Sequence, residues 1–126
     1  MKKTAIKLSI FIVMSMLVTA CSNDNDEVIN VPFAGEWSGT FSGGDSGTWS
    51  ITISNSGSVS GEVFSANLQG FLDINGKVDT SGDFRATAGS AANGATYTGT
   101  FTENSGSGEW ENSADQISGT WEGNRN

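Results

Sequence analysis

Apolar residues alternate with serine, threonine and charged residues along most of the chain beyond residue 33. Successive side chains of a β-strand point to opposite faces, so this period of two predicts strands with one buried and one solvated face. Eight segments carry the pattern. Their inward positions, in chain order, are Trp37, Gly39 and Phe41; Trp49, Ile51 and Ile53; Val59, Gly61 and Val63; Leu68, Gly70, Leu72, Ile74, Gly76 and Val78; Phe84, Ala86 and Ala88; Tyr97, Gly99 and Phe101; Gly108 and Trp110; and Ile117, Gly119 and Trp121.

Turn-forming clusters of Gly, Ser, Asn, Asp and Ala separate these segments, and no stretch places apolar residues at helical spacing over more than one turn. We therefore predict an all-β domain, in which eight antiparallel strands form an up-and-down meander and close into a barrel. An open β-sandwich built from the same strands is the alternative. The clusters lie at 43–46, 55–57, 66–67, 79–82, 90–94, 103–107 and 113–115.

Glycine recurs on the inward faces, between apolar residues two positions away on either side. An inward glycine permits strong coiling of a strand and leaves room for a large side chain from across the interior, so its repetition favours closure. The interior of an eight-stranded barrel is either filled by side chains or holds one small ligand. The pattern is centred on Gly39, Gly61, Gly70, Gly76, Gly99 and Gly119.

The first twenty residues have the composition of a secretory signal. Three lysines precede a mostly apolar run that is too short to span a bilayer as a helix. The residues that follow, Leu17 to Ala20 and then Cys21, resemble the lipobox of bacterial lipoproteins, in which the cysteine is acylated and becomes the new N-terminus. We therefore expect a signal peptide at 1–20, a lipidated Cys21 with a flexible acidic tether at 21–32, and the β-barrel domain at 33–126.

The acidic residues just after Cys21 resemble the export signal of surface lipoproteins of Bacteroidota, although a plain linker fits them equally well. The resemblance implies a lipid-anchored protein of the cell envelope, at the outer membrane, whose partner is the bilayer into which the acyl chains of Cys21 insert. Whether the domain faces the periplasm or the cell surface stays open.

Trp37, which opens the first predicted strand after Gly35 and Glu36, and Arg125, just beyond the last strand, together resemble the calycin barrels, the lipocalins and avidins. The resemblance implies that Trp37 closes one end of the barrel and that Arg125 packs across it, with Trp121 at the same end. Biotin is not an expected ligand, because the segment 83–89 carries Phe84 as its only aromatic residue.

Charge and composition exclude several classes of function. Without residues 1–20 the chain keeps three basic and fourteen acidic residues, a formal charge of −11, so we expect no nucleic-acid partner. The chain contains no histidine, and Ser46, which lies in a protease-like Gly-Asp-Ser-Gly sequence, therefore lacks the base that such a nucleophile needs. We predict a non-enzymatic protein with no cofactor and no metal site.

A ligand would enter at the end of the barrel opposite the tether, because a meander of eight strands brings both chain ends to one side. Phe64 and Phe71 break the alternation and predict an exposed aromatic patch near that mouth. A two-residue turn at 66–67 would make the two rings diagonal neighbours, whereas a bulge would turn one ring inward. The candidate ligand-binding residues are Phe41, Trp49, Phe64, Asn67, Phe71 and Trp110.

Two functions fit these observations. The first is a membrane-anchored envelope lipoprotein whose non-catalytic barrel binds a small molecule, a glycan or a protein partner. The second is a structural or assembly subunit of an envelope complex, with a filled barrel. The presence of a cavity inside the barrel separates the two.

Overall fold

A computed structural model describes residues 30–90 and 93–126. The expected signal peptide at 1–20, the lipidated Cys21 and most of the acidic tether lie outside the described residues. The tether was expected to reach residue 32, but Val31 is buried and its backbone N–H donates to the carbonyl of Asn55 at 2.8 Å. The folded domain therefore includes Val31.

Eight antiparallel strands form a closed barrel, in which each strand pairs with its neighbours in sequence and the first also pairs with the last. This confirms the predicted all-β meander barrel and rules out the open sandwich. Among the described residues, no helix is long and apolar enough to cross a membrane. The strands are β1 (Gly35–Gly43), β2 (Gly47–Ile53), β3 (Ser58–Ser65), β4 (Gly70–Val78), β5 (Asp83–Ala88), β6 (Ala95–Phe101), β7 (Ser105–Asn112) and β8 (Ile117–Arg125).

The inward glycines make room for tryptophans on neighbouring strands. Trp49 on β2 lies beside Gly39 on β1 and extends to Gly123 on β8, and a Cβ added at Gly39 would lie 2.6 Å from Cζ2 of Trp49. Trp121 on β8 extends in the same way to Gly99 on β6, where an added Cβ would also lie 2.6 Å from the indole. A larger residue at either glycine would overlap the ring.

Each of these indoles also forms a hydrogen bond to the backbone of another strand. The N–H of Trp49 donates to the carbonyl of Thr40 at 3.2 Å, and that of Trp121 donates to the carbonyl of Thr98 at 2.9 Å. A buried indole needs such an acceptor, because an unpaired buried donor costs about 1 to 3 kcal/mol. The rings are therefore fixed both by packing and by their polar edge.

The end of the barrel at which β1 begins is closed, and we call it the closed end. Trp37 is fully buried there, and its N–H donates to the carbonyl of Phe33 at 2.8 Å. The guanidinium carbon of Arg125 lies 4.8 Å from the centre of the Trp37 ring, within the range of a cation–π contact. The same guanidinium donates to the carbonyls of Pro32 and Glu103, at 2.8 and 2.9 Å.

The middle of the barrel is filled by aromatic side chains. Phe101 lies at the centre of this packing, with ring centroids 4.7 Å from Trp37, 5.1 Å from Phe84 and 5.6 Å from Trp121. The gap that remains among the central side chains has a volume of about 10 Å³, at or below the space that a single water molecule needs. Inside the barrel, a ligand therefore has room only nearer the open end.

The start of β4 differs from the sequence-based prediction. Ser65 pairs with Gly70, so residues 66–69 form a four-residue loop and Leu68 is 64% exposed instead of facing inward. The predicted two-residue turn was therefore wrong. Gln69 adopts a positive φ of 53°, and the hydroxyl of Ser65 accepts the N–H of Leu68 at 3.1 Å, which together stabilise the longer loop.

Gly39→Ala and Gly70→Ala test the packing of tryptophan against glycine as a matched pair, because both glycines occupy the same repeated motif. A Cβ at Gly39 would overlap the carbonyl oxygen of Glu122 and the indole of Trp49, whereas a Cβ at Gly70 meets no atom closer than 3.9 Å. We expect Gly39→Ala to lower the free energy of unfolding by about 2 to 4 kcal/mol and Gly70→Ala to change it by less than about 0.5 kcal/mol. Urea denaturation followed by tryptophan fluorescence measures both, and equal stabilities would contradict this packing.

Candidate functional site

The end of the barrel opposite the closed end holds a cavity of about 330 Å³, which we call the cup. The described residues of the loops that join β1 to β2, β3 to β4, β5 to β6 and β7 to β8 form its rim. Its size is at the lower end of the range of small-molecule sites, which is about 300 to 1,000 Å³. The barrel is therefore filled in its middle and open at one end.

Three aromatic side chains, Phe41, Tyr97 and Trp110, form the bottom of the cup, and we call them the aromatic floor. The rings of Tyr97 and Trp110 are nearly parallel, with an interplanar angle of 24° and centroids 6.3 Å apart. Phe41 is nearly perpendicular to both, at 84° and 86°. The N–H of Trp110 donates to the carbonyl of Ser42 at 3.1 Å, which holds this ring in place.

Tyr97 carries the polar group of the floor. The residue is 3% exposed, and within the described part of the chain its hydroxyl has no hydrogen-bond partner, although a buried hydroxyl normally has one. Burial raises the pKa of Tyr97 well above its ordinary value, and the negative charge of Asp45 at the rim raises it further. The hydroxyl is therefore protonated at neutral pH and available to a ligand.

Asp45 connects two loops of the rim. One carboxylate oxygen accepts the N–H of Ser46 at 2.7 Å and that of Asn67 at 3.0 Å, and the other accepts the hydroxyl of the buried Ser65 at 2.5 Å. The side-chain amide of Asn67 donates in turn to the carbonyl of Gly44 at 3.1 Å. These bonds join the β1–β2 loop to the β3–β4 loop and fix one side of the rim.

The β7–β8 loop, which neighbours the β1–β2 loop on its other side, carries a second carboxylate. The N–H of Asp115 donates to the side-chain oxygen of Asn112 at 3.1 Å, which closes the turn between β7 and β8. Apolar side chains, among them Leu72 and Ile117, line the wall between the rim and the floor. Among the described residues that line the cup, none is Lys or Arg, so its ionisable groups are Asp45, Asp115 and Tyr97.

Of the candidate ligand-binding residues, Phe41, Asn67 and Trp110 line the cup, and Trp49 does not. Trp49 was expected just inside the rim, but its indole packs in the middle of the barrel, with its ring centroid 5.7 Å from that of Trp121. The reason is that Gly39 and Gly123 open a space beside it at that depth. Trp121 was expected at the closed end with Trp37 and Arg125. Its ring also lies in the middle of the barrel, beside Trp49.

Phe64 and Phe71 lie on the outside of the barrel and do not line the cup. They pair directly across β3 and β4 instead of diagonally, with ring centroids 5.2 Å apart and an edge-to-face geometry. Phe71 is 66% exposed and Phe64 is half-buried beneath it. We call these two rings the exterior aromatic pair.

Sequence reasoning identified neither Tyr97 nor Asp45 as a site residue. Tyr97 appeared only as one more inward position of a strand, and Asp45 only as a turn residue. The available signal was that Tyr97 is the only tyrosine of the chain, because a phenol on a core face needs a polar partner. The loop contacts of Asp45 depend on the register of β3 with β4, which the sequence pattern did not determine.

No group of three or more carboxylate or cysteine side chains is placed to hold a metal ion within residues 30–90 and 93–126. No model of a known protein family and no curated protein sequence matches the chain. The geometry of the cup is therefore the basis on which function can be argued.

The raised pKa of Tyr97 predicts a loss of stability at alkaline pH. In the unfolded chain the phenol titrates near its ordinary pKa of 10.0, whereas the folded protein keeps the proton to higher pH. The free energy of unfolding should therefore fall as the pH rises above about 10, by at most about 1.4 kcal/mol per pH unit.

Denaturation at several alkaline pH values measures this slope, and the ultraviolet absorbance of tyrosinate reports the titration of Tyr97 alone. Tyr97→Phe is the control, since it keeps the ring and should show a smaller slope. At neutral pH this variant should be as stable as the parent, or more stable by up to about 1 kcal/mol, because it removes a buried hydroxyl to which residues 30–90 and 93–126 offer no partner. The same alkaline slope in both proteins would contradict the assignment.

Proposed function

We propose that the protein is a membrane-anchored lipoprotein of the cell envelope whose barrel binds a small ligand in the cup without catalysing a reaction. The observation that carries this proposal is a combination at one end of an otherwise filled barrel: a cavity of about 330 Å³, an aromatic floor, and a hydroxyl that has no partner among the described residues. Small-molecule sites typically combine mostly apolar walls with a few converging polar groups.

The point at which the described chain enters the barrel supports a binding site that faces away from the membrane. The described chain enters the barrel at the closed end, where Val31 pairs with Asn55 and Arg125 donates to the carbonyls of Pro32 and Ala34. A bilayer attached through Cys21 would therefore lie on the side of the closed end. The cup would open in the opposite direction, towards the compartment that the protein faces.

The chemistry of the cup supports binding over catalysis. Asp45 already accepts three hydrogen bonds from the protein, which hold its carboxylate in a structural role. The raised pKa of Tyr97 makes its phenol a poor base at neutral pH. Neither group has the activation that a nucleophile or a general base requires.

The size of the cup limits the ligand. At the volume that a water molecule occupies in the liquid, the cup has room for roughly ten waters, so it suits a small molecule or the terminal group of a longer one. The aromatic floor is held by Trp110 bonded to Ser42 and by edge-to-face packing with Phe41, so the site is largely formed before a ligand arrives.

The exterior aromatic pair supports the second candidate function, an assembly subunit of an envelope complex. Phe71 is 66% exposed, and Leu68, in the neighbouring loop, is 64% exposed. Exposed apolar patches edged by polar residues often mark contacts with other proteins. This function needs no cavity, so ligand binding distinguishes it from the first.

Ala95→Phe and Thr96→Phe test the cup as a matched pair of neighbouring residues on β6. Ala95 lines the cup, so a phenyl ring at this position should fill it, whereas Thr96 lies on the outward face of the strand. The domain 28–126 is titrated with neutral sugars, aliphatic alcohols, organic ammonium ions and carboxylates, and the fluorescence of Trp110 is the expected reporter. We expect at least one class to give a saturable change that Ala95→Phe weakens more than about tenfold and Thr96→Phe leaves within about twofold.

A flat response to every class would overturn the binding proposal and leave the assembly function. Binding that Ala95→Phe does not weaken would place the ligand outside the cup. Trp49→Phe serves as the control for the reporter, because Trp49 does not line the cup and the fluorescence change should persist in this variant.

A further inference from the structure

We infer that the cup selects small organic cations, namely ligands that carry a quaternary ammonium or a protonated amine. This inference rests on the proposed function, since it names the ligand class of the same site. Three features of the cup support it: its charge, its aromatic floor and the way in which its polar groups are already paired.

The charge of the cup is negative, and no described cation opposes it. Asp45 and Asp115 both line the cup, on neighbouring loops of the rim. Two of the three basic residues beyond the signal segment, Lys77 and Arg85, face each other on the outer surface of β4 and β5, and the third, Arg125, lies at the closed end. With a formal charge of −11 on the chain beyond residue 20, the field favours cations and disfavours anions at the mouth.

The aromatic floor supplies the surface that organic cations prefer. The face of an aromatic ring carries negative electrostatic potential, and it attracts a cation more strongly when the two are removed from water. Tyr97 and Trp110 are nearly parallel while Phe41 is nearly perpendicular to them, so the rings of the floor lie in two orientations. Trp and Tyr are the stronger partners for cations among the aromatic residues.

The pairing of the polar side chains argues against a sugar as the ligand. A sugar is recognised through several directed hydrogen bonds, but both oxygens of Asp45 and the amide N–H of Asn67 already bond to the protein. The side chain of Asn112 is likewise engaged with Asp115. The carboxylate of Asp45 keeps its charge, while these side chains have part of their hydrogen-bonding capacity already used within the protein. This combination suits a cation better than a polyol.

The hydroxyl of Tyr97 completes the site. It is buried, has no partner among the described residues and feels the charge of Asp45. That charge favours an orientation with the hydroxyl hydrogen towards the rim carboxylate, which leaves the oxygen lone pairs free to accept from an amine N–H or from a hydroxyl next to an ammonium. A quaternary ammonium would instead lie over the ring face.

Choline and 3,3-dimethyl-1-butanol test the inference, because the two molecules have nearly the same shape and differ in having a charged nitrogen or a neutral carbon. Calorimetric titration of the domain 28–126 at low salt should give an affinity for choline at least about tenfold above that for the alcohol. Added salt should reduce the difference, since the Debye length falls from about 30 Å at 0.01 M to about 8 Å at 0.15 M.

Charge variants locate the effect. Asp45→Asn should weaken choline binding at least about threefold and leave the alcohol unchanged, and Asp115→Asn provides a second test that does not touch the loop contacts of Asp45. Glu36→Gln is the matched control, because it removes one carboxylate at the closed end, far from the cup. It should leave choline binding within about 1.5-fold of the parent.

The outcomes separate this inference from the proposed function. If the alcohol binds as tightly as choline, the preference for cations is wrong while the cup remains a binding site. The same holds if only sugars or carboxylates bind and Ala95→Phe blocks them. If no class binds, the proposed function fails and this inference fails with it.

Discussion

The narrow interior of a closed eight-stranded barrel is the constraint on which the rest of this structure depends. Such a barrel holds little more than its own side chains, and this chain places four tryptophans in it. Trp49 and Trp121 fit because glycines on adjacent strands leave their inner surface bare, as at Gly39 and Gly99. Each indole then spans a neighbouring strand and donates its N–H to a backbone carbonyl. Packing and hydrogen bonding thus select the same ring positions.

The same constraint sets the depth of the cup. Because the tryptophans and Phe101 fill the closed end and the middle, the space that remains lies above Phe41, Tyr97 and Trp110. The floor cannot recede without disturbing the central packing, and the Asp45 contacts hold one side of the rim. A site of this kind is formed by the core rather than by its loops alone, so its shape should change little when a ligand binds.

The fold was predictable from the alternation of residues because burial on one face of a strand requires it, and all eight strands follow the pattern. The depth of a side chain was not predictable in the same way. Trp37, Trp49 and Trp121 share one inward pattern, yet Trp37 lies at the closed end and the other two in the middle. The depth of each ring along the barrel axis depends on the stagger of the strands and on the glycines beside the ring.

The loop at 66–69 was mispredicted because Gln69 takes a left-handed conformation that propensity does not indicate. The contacts of Asp45 with Ser65 and Asn67 depend on that loop. Tyr97 shares a cup with Asp45 only because the barrel closes, so no local motif indicated either residue.

Arg125 has a mechanical consequence for a tethered protein. Its guanidinium joins the end of β8 to the carbonyls of Pro32 and Ala34, so the entering chain is clasped before β1 begins. If a membrane holds the segment before β1 while a long molecule is pulled by the terminal group that occupies the cup, tension runs along the barrel, from β1 towards the rim. The hydrogen bonds of β1 with β2 and β8 then bear the load together, in shear, and do not open one after another as in a zipper. The barrel is in this respect built to resist extraction forces directed along its axis.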